Sequence, residues 1–217
     1  MSEKYHKSTF EKIPEEKQLK ILRIAAGELA TKGLSNARIK EIAEKAGISY
    51  GSMYNYFSTK DDLIRTIILE GVEFQNQVFA EGEKTKGDVF QKIETVIQLA
   101  MEYSQKYPEM IAIWLEVSHG YNERFIKDSL ELERDGVLYW RGLVQNGIRE
   151  GLVDPSTDAN SAAFCINSIV GQLMKSYISD FHKNILSLFF PDSKSCSIDE
   201  ILPGVMKSIK ALLGCRS

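Results

Sequence analysis

The side chains best placed to do chemistry are Tyr50, Gly51, Ser52, Tyr54, Asn55 and Tyr56, with Ser49 before them and Lys60 after them. The set offers hydroxyls, one amide and one ammonium, with no nucleophile set beside a base. Such groups donate to phosphate oxygens and read base edges: Asn pairs with adenine, Ser is permissive, and a glycine lets the backbone come close. Arg38 and Lys40, just upstream, add cations. Presenting these groups to a duplex takes an element that enters a groove, and residues 37–60 read as one. Two short helices are joined at Gly47, where positive φ is tolerated. Ile42, Ala43, Ala46, Ile48 and Met53 fall where two crossed helices touch, with Ala43 small at the closest point. Ser49 can cap the second helix, leaving Tyr50, Gly51, Ser52, Tyr54 and Asn55 on its outward side.

The run Gly51-Ser52-Met53-Tyr54-Asn55-Tyr56-Phe57, preceded by an Ala-Gly-Ile-Ser turn and followed by Lys60 and Leu63, resembles the DNA-binding segment of the TetR family of transcriptional regulators. The likeness covers about residues 15–70; the remainder matches in length and helical pattern. It departs at Ala37-Arg38, where the family usually has Ser or Thr, so Ser35 or Asn36 is expected to cap the first motif helix. The resemblance implies DNA-backbone contacts from Tyr54 and Lys60. It also implies a dimeric regulator, most often a repressor, that binds an inverted repeat in double-stranded DNA and is released by a small hydrophobic effector. Tyr56 is expected to bury part of its ring, leaving Tyr54 the better phosphate donor.

Charge is distributed to suit this reading. The 217 residues carry a net charge of −3, but residues 1–60 sum to +4 and the rest to −7. A basic end on an acidic body confines phosphate attraction to that end. Cys165, Cys196 and Cys215 are odd in number and unpatterned, which reads as reduced thiols, and no apolar run approaches the ~20 residues of a membrane span. A cytoplasmic protein is expected. His6, His119 and His182 lack ligand spacing, and no nucleophile elbow, Walker loop or dinucleotide fingerprint occurs. No enzyme, metal or cofactor is expected.

The elements that position the motif are all helical. Residues 1–13 read as a mobile arm. Pro14 opens a helix carrying Leu22, Ala25, Ala26 and Leu29, and Gly33 stops it. Further helices are expected after a capping box at 58–62, from 88, from Pro108, from 123 to Gly151, over 158–183, and in a last segment with Pro203 near its start, about nine in total. The run 185–190 reads as a buried helix end. The fold class is therefore all-α: an arm and three-helix DNA-binding domain over 1–58, and a helical ligand-binding and dimerisation bundle over 59–217. Tyr103, Met110, Trp114, Trp140, Asn167 and Gln172 break apolar stripes and are candidates for an effector pocket. The 158–183 helix carries two apolar stripes, one more than a single core needs. Ala163, Val170, Met174, Ile178 and Phe181, with Val205, Ile209 and Leu212, are the expected dimer contacts. Two alternatives stay open: a helical partner- or ligand-binding module using the motif only for packing, and an architectural DNA-binding protein without a ligand. Tyr, Gly, Ser and Asn together on an exposed helix side discriminate against the first.

Overall fold

A computed structural model describes residues 4–118 and 123–214; His119 and Cys215 lie outside the described residues. In chain order the helices are α1 (Ser8–Glu11), α2 (Glu15–Lys32), α3 (Ile39–Ala46), α4 (Tyr50–Tyr56), α5 (Lys60–Lys84), α6 (Val89–Lys106), α7 (Pro108–Ser118), α8 (Ile126–Arg149), α9 (Ala159–Lys175), α10 (Asp180–Phe189) and α11 (Ile198–Leu212). A 3-10 turn at Glu123–Phe125 precedes α8. The fold is all-α, with no strand among the described residues. Two helices more than expected arise because the arm folds into α1 and because 158–183 is broken into α9 and α10. Contacts divide the chain into two compact units, residues 1–73 with 107–131, and residues 74–106 with 132–217.

In the first unit, Pro14 precedes α2 with φ −53°, Glu15 and Glu16 sit at its positive end, and Gly33 ends it with φ 80°. The helix buries Ile21, Leu22, Ala25, Ala26 and Leu29 and packs on α3 and α7. Thr59 and Asp62 exchange side-chain bonds to each other's backbone N–H, both at 3.0 Å, and so start α5 with a capping box. Residues 4–13 are not the mobile arm the sequence suggested. Phe10 is 1% exposed, its ring 5.5 Å from Tyr56 and 4.9 Å from Phe57. Met110, Ile111, Ile113 and Val117 of α7, together with Phe125, are buried in this unit as well.

In the second unit, α6 packs against α9 and α11. Ile93, Ile97, Trp140, Val144, Ala162, Ile166 and Ile209 form the centre of its core. Asp158 caps α9 by accepting from the Ser161 N–H at 2.8 Å. The expected second stripe needs correction. Ala163, Val170, Val205 and Ile209 are 1%, 6%, 7% and 0% exposed and belong to the chain's own core. Met174 and Ile178 are half-buried, while Phe181 and Leu212 are exposed. The helix also stops early, at Lys175; after a turn, Ser179 caps α10, its hydroxyl 2.9 Å from His182 Nδ1. The run 185–190 is no buried end either: Leu188 and Phe189 are about three-quarters exposed. Pro203 stands inside α11 rather than near its start, on the exposed side, and removes the N–H that would bond the Asp199 carbonyl.

Gly82, buried in α5, marks a close approach in this unit. A Cβ there would overlap Val96 Cγ2 and the Tyr139 hydroxyl. Helix propensity alone favours Gly→Ala by about 1 kcal/mol. Gly82→Ala is nevertheless expected to destabilise the chain by about 1–3 kcal/mol in urea unfolding, because overpacking dominates.

Candidate nucleic-acid interface

The interface is built from α3 and α4. Ile42, Ala43, Ala46 and Met53 are all at most 5% exposed, so the crossing is dry, and Ile48 is half-buried beside it. Gly47 adopts φ 71° and ψ 32°, the left-handed conformation, and its N–H returns to the Ala43 and Glu44 carbonyls. Ser49 caps α4: its hydroxyl accepts from the Ser52 N–H at 3.0 Å and lies 2.8 Å from the Ser52 hydroxyl. The turn thereby fixes which side of α4 faces outward. Tyr50 and Tyr54 are 51% and 41% exposed, Gly51 and Asn55 are exposed between them, and Ser52 is half-buried. The two rings meet edge-on with centroids 5.0 Å apart and hydroxyls 3.2 Å apart. The Tyr50 hydroxyl pushes the Tyr54 phenol up from its ordinary value. Tyr56 is half-buried against Phe10 and Phe57.

The cations are placed less uniformly. Arg38 and Lys40 are exposed. Arg38 occupies the N-cap position of α3 without a side-chain cap, so neither Ser35 nor Asn36 supplies the cap expected there. The 35–37 loop is held instead by Lys60, whose ammonium donates to the carbonyls of Ser35 at 2.9 Å and Ala37 at 3.2 Å. Lys60 thus positions the start of α3 as well as standing near the reading side. Behind that side, Lys45 and Lys32 hydrogen-bond Glu28 and hold its carboxyl below the usual carboxylate range. Lys32 also reaches Glu41 at 2.6 Å, so α2 and α3 are tied by charge as well as by packing.

Two features of this unit have no signature in the motif. The carbonyls of Tyr54, Asn55 and Tyr56, at the end of α4, each receive a donor from the arm. Lys7 Nζ bonds Tyr54 at 2.6 Å, the Thr9 hydroxyl bonds Asn55, and the Lys7 N–H bonds Tyr56 at 2.8 Å. Arg65 of α5, meanwhile, bonds Asp128 and the Arg124 carbonyl, both at 3.3 Å, and stacks over the rings of Tyr5 and Phe125. Arg124 in turn grips Asp61 with one guanidinium nitrogen 3.1 Å from both carboxylate oxygens. Residues 123–128 are therefore fastened to the same unit as α4.

The six effector candidates are not one set. Met110 and Trp114 lie in the first unit; Tyr103, Trp140, Asn167 and Gln172 lie in the second. Tyr103 stacks on Phe74, with 18° between the rings. Trp140 is 2% exposed and meets Phe79 and Tyr139 edge-on. Asn167 lies over Gly136 beside Gln75. Gln172 is exposed and lines a groove of about 440 Å³ with Ile169, Leu173, Leu186 and Phe189, formed by α9, α10 and α11. One polar group escaped the sequence reading: the Tyr139 hydroxyl is buried without a hydrogen-bond partner among the described residues, and burial pushes its phenol up. A tyrosine in a helix stripe gives no signal of this before packing is known. Among the described residues no three His, Cys, Asp or Glu side chains converge as a metal site would require, and no helix is long and apolar enough to cross a membrane.

Known proteins agree with this geometry. Residues 21–67 match the family model described as bacterial regulatory proteins, tetR family. The chain is 27% identical over 148 residues to the HTH-type transcriptional repressor KstR2 of Rhodococcus jostii, covering 67% of this chain and 72% of that one. It is 23% identical over 177 residues to the nucleoid occlusion factor SlmA of Glaesserella parasuis, covering 78% and 85%. The fold superposes on the transcriptional regulator FadR of Bacillus subtilis, solved in complex with stearoyl-CoA, with a TM-score of 0.66, 18% identity, and 90% and 96% of the two chains covered. Motif, fold and relatives agree in likening this chain to bacterial transcriptional regulators, with the match to the tetR family model carried by residues 21–67.

Proposed function

We infer that the protein is a repressor that binds an inverted-repeat operator as a homodimer and is released when a small hydrophobic effector occupies its C-terminal region. The observation that carries the DNA reading is the exposed row Tyr50, Gly51, Tyr54 and Asn55 on a helix whose other side is sealed by Met53. A packing helix would bury those rings. Functionally the chain divides at 58/59, with the arm and reading head before it and the sensing and dimerising helices after it, in a protein of the cytoplasm.

Dimerisation is supported by large apolar side chains left exposed among the described residues. Phe164, Phe181, Leu188, Phe189 and Leu212 are 72%, 67%, 75%, 74% and 42% exposed. Phe164, Ser168 and Gln172 follow at four-residue spacing on α9, as do Gly204, Ser208 and Leu212 on α11, and the small residues between the bulky ends admit a second helix pair. An effector is supported by the orphan Tyr139 hydroxyl among aromatic rings, since an unpaired buried hydroxyl costs about 1–3 kcal/mol that a ligand acceptor would relieve. FadR's stearoyl-CoA makes acyl-coenzyme A thioesters the first compounds to try. A ligand-free architectural role has one observation in its favour, the relative named for nucleoid occlusion rather than repression.

The test is selection of duplexes from a random-sequence pool by the intact chain, followed by titration of the selected and a scrambled duplex over a salt series. Lys40→Ala is expected to weaken both duplexes alike and to flatten the salt slope by about one unit for each head bound. Asn55→Ala is expected to change the preference between them, by about 1–3 kcal/mol per base pair read. Equal losses on both duplexes from Asn55→Ala would remove it from the base-reading set. Failure to enrich any sequence would remove the DNA reading itself.

A further inference from the structure

We propose that the N-terminal arm is a positioning device for the DNA-reading helix, with Lys7 and Thr9 fixing its C-terminal end. The proposal rests on α4 as the helix that reads DNA, and nothing in the motif requires an arm. Seven residues are too few for a helix to hold itself in water. The N-terminal end of α4 is secured by Ser49, but at the other end the carbonyls of Tyr54, Asn55 and Tyr56 are the ones a helix of this length leaves without an internal partner. All three are supplied by two arm residues: Lys7 through its ammonium and its N–H, and Thr9 through its hydroxyl. The Lys7 cation also stands at the negative end of the helix dipole, the favourable sign.

The arm can do this because it is anchored. Phe10 is driven into the first unit between His6, Tyr56 and Phe57, at centroid distances of 5.3, 5.5 and 4.9 Å. Tyr5 lies under the Arg65 guanidinium, 5.3 Å from its ring centroid, and Lys4 pairs with Glu11 at 2.5 Å. Tyr54 and Asn55 are thus gripped through their carbonyls by the arm while their side chains face outward. The tilt of the reading row is set from behind, and the Lys7 ammonium is committed to a carbonyl rather than to a phosphate.

This assignment predicts an effect that a phosphate contact would not give. Lys7→Met and Thr9→Val are each expected to weaken binding to the selected duplex about five- to tenfold, the scale of one lost hydrogen bond, with the salt slope unchanged. Lys7→Arg and Thr9→Ser, which keep a donor, are expected to bind within about twofold of the parent. In hydrogen exchange on the DNA-free protein, the α4 amides of the Lys7→Met/Thr9→Val double variant should exchange faster while those of α2 do not change. A slope reduced by about one unit per head in Lys7→Met, with equal loss on selected and scrambled DNA, would make Lys7 a phosphate ligand and overturn the proposal. Parental affinity together with parental α4 exchange in the double variant would overturn it as well. If no duplex is selected, the DNA reading falls, and the exchange measurement still decides whether the arm holds α4.

Discussion

Trp140→Ala is expected to lower the unfolding free energy by about 3–5 kcal/mol, a large share of the total stability of a typical domain. The indole is 2% exposed and wedged edge-on against Phe79, at 6.1 Å between centroids, and Tyr139, at 5.3 Å, while those two rings stack on each other at 4.0 Å. Truncation removes the element on which both lean, and neither neighbour can leave its stack to fill the void. Urea unfolding followed by far-UV circular dichroism at fixed protein concentration measures the loss, the concentration being held because association stabilises the folded state. The size of the loss also separates two roles for this residue. A tryptophan lining a vacant effector pocket already lacks partner atoms on one face and has fewer contacts to lose. A loss below about 1.5 kcal/mol would return Trp140 to the pocket wall; the full loss makes it core and leaves Tyr139 as the polar group worth testing for effector contact.

What the sequence revealed and what it concealed divide by range. The crossed helix pair was legible because its determinants are local: a glycine at the one left-handed position, a serine two residues later as cap, and apolar residues spaced for a crossing. The arm was not, because its order comes from Phe10 meeting Tyr56 and Phe57 some 46 positions away, and a short polar stretch gives no periodic signal for that. The capping expectation at Ser35 or Asn36 failed for a related reason. Lys60, distant in sequence, supplies the donor that holds that loop, so no local cap is needed. In the second unit the apolar pattern runs on through residues 176–179, and only the extended Ser179 reveals the break between α9 and α10. A one-dimensional stripe also cannot say which of two faces is covered. Ala163 and Val170 looked like spare apolar surface, yet α9 turns them inward, and the uncovered residue on that helix is Phe164, assigned to neither stripe.

That redistribution sharpens the largest effect expected of any change in this protein. On the dimeric reading, Phe164→Asp with Leu212→Asp should dissociate the dimer and lower affinity for the selected operator by two orders of magnitude or more. Both side chains are exposed, at 72% and 42%, so the charges enter water in the separate chain and leave its core intact. In a dimer, each would be driven into an apolar contact opposite its own copy, where two like charges face one another without a partner. A dimer presents two heads to one inverted repeat, so the second head binds at the effective concentration set by the first, and avidity of this kind is worth about 10²–10⁴. Sedimentation velocity reports the dissociation, fluorescence anisotropy the loss of affinity, and circular dichroism the retained helix. The variant should keep the weak binding of a single head to random duplex, because Tyr50, Tyr54 and Lys40 are untouched. A monomer that still bound the selected duplex with parental affinity would show that one head suffices and that the operator is not read as a repeat. A variant that remained dimeric would move the interface to the exposed Phe181, Leu188 and Phe189 of α10.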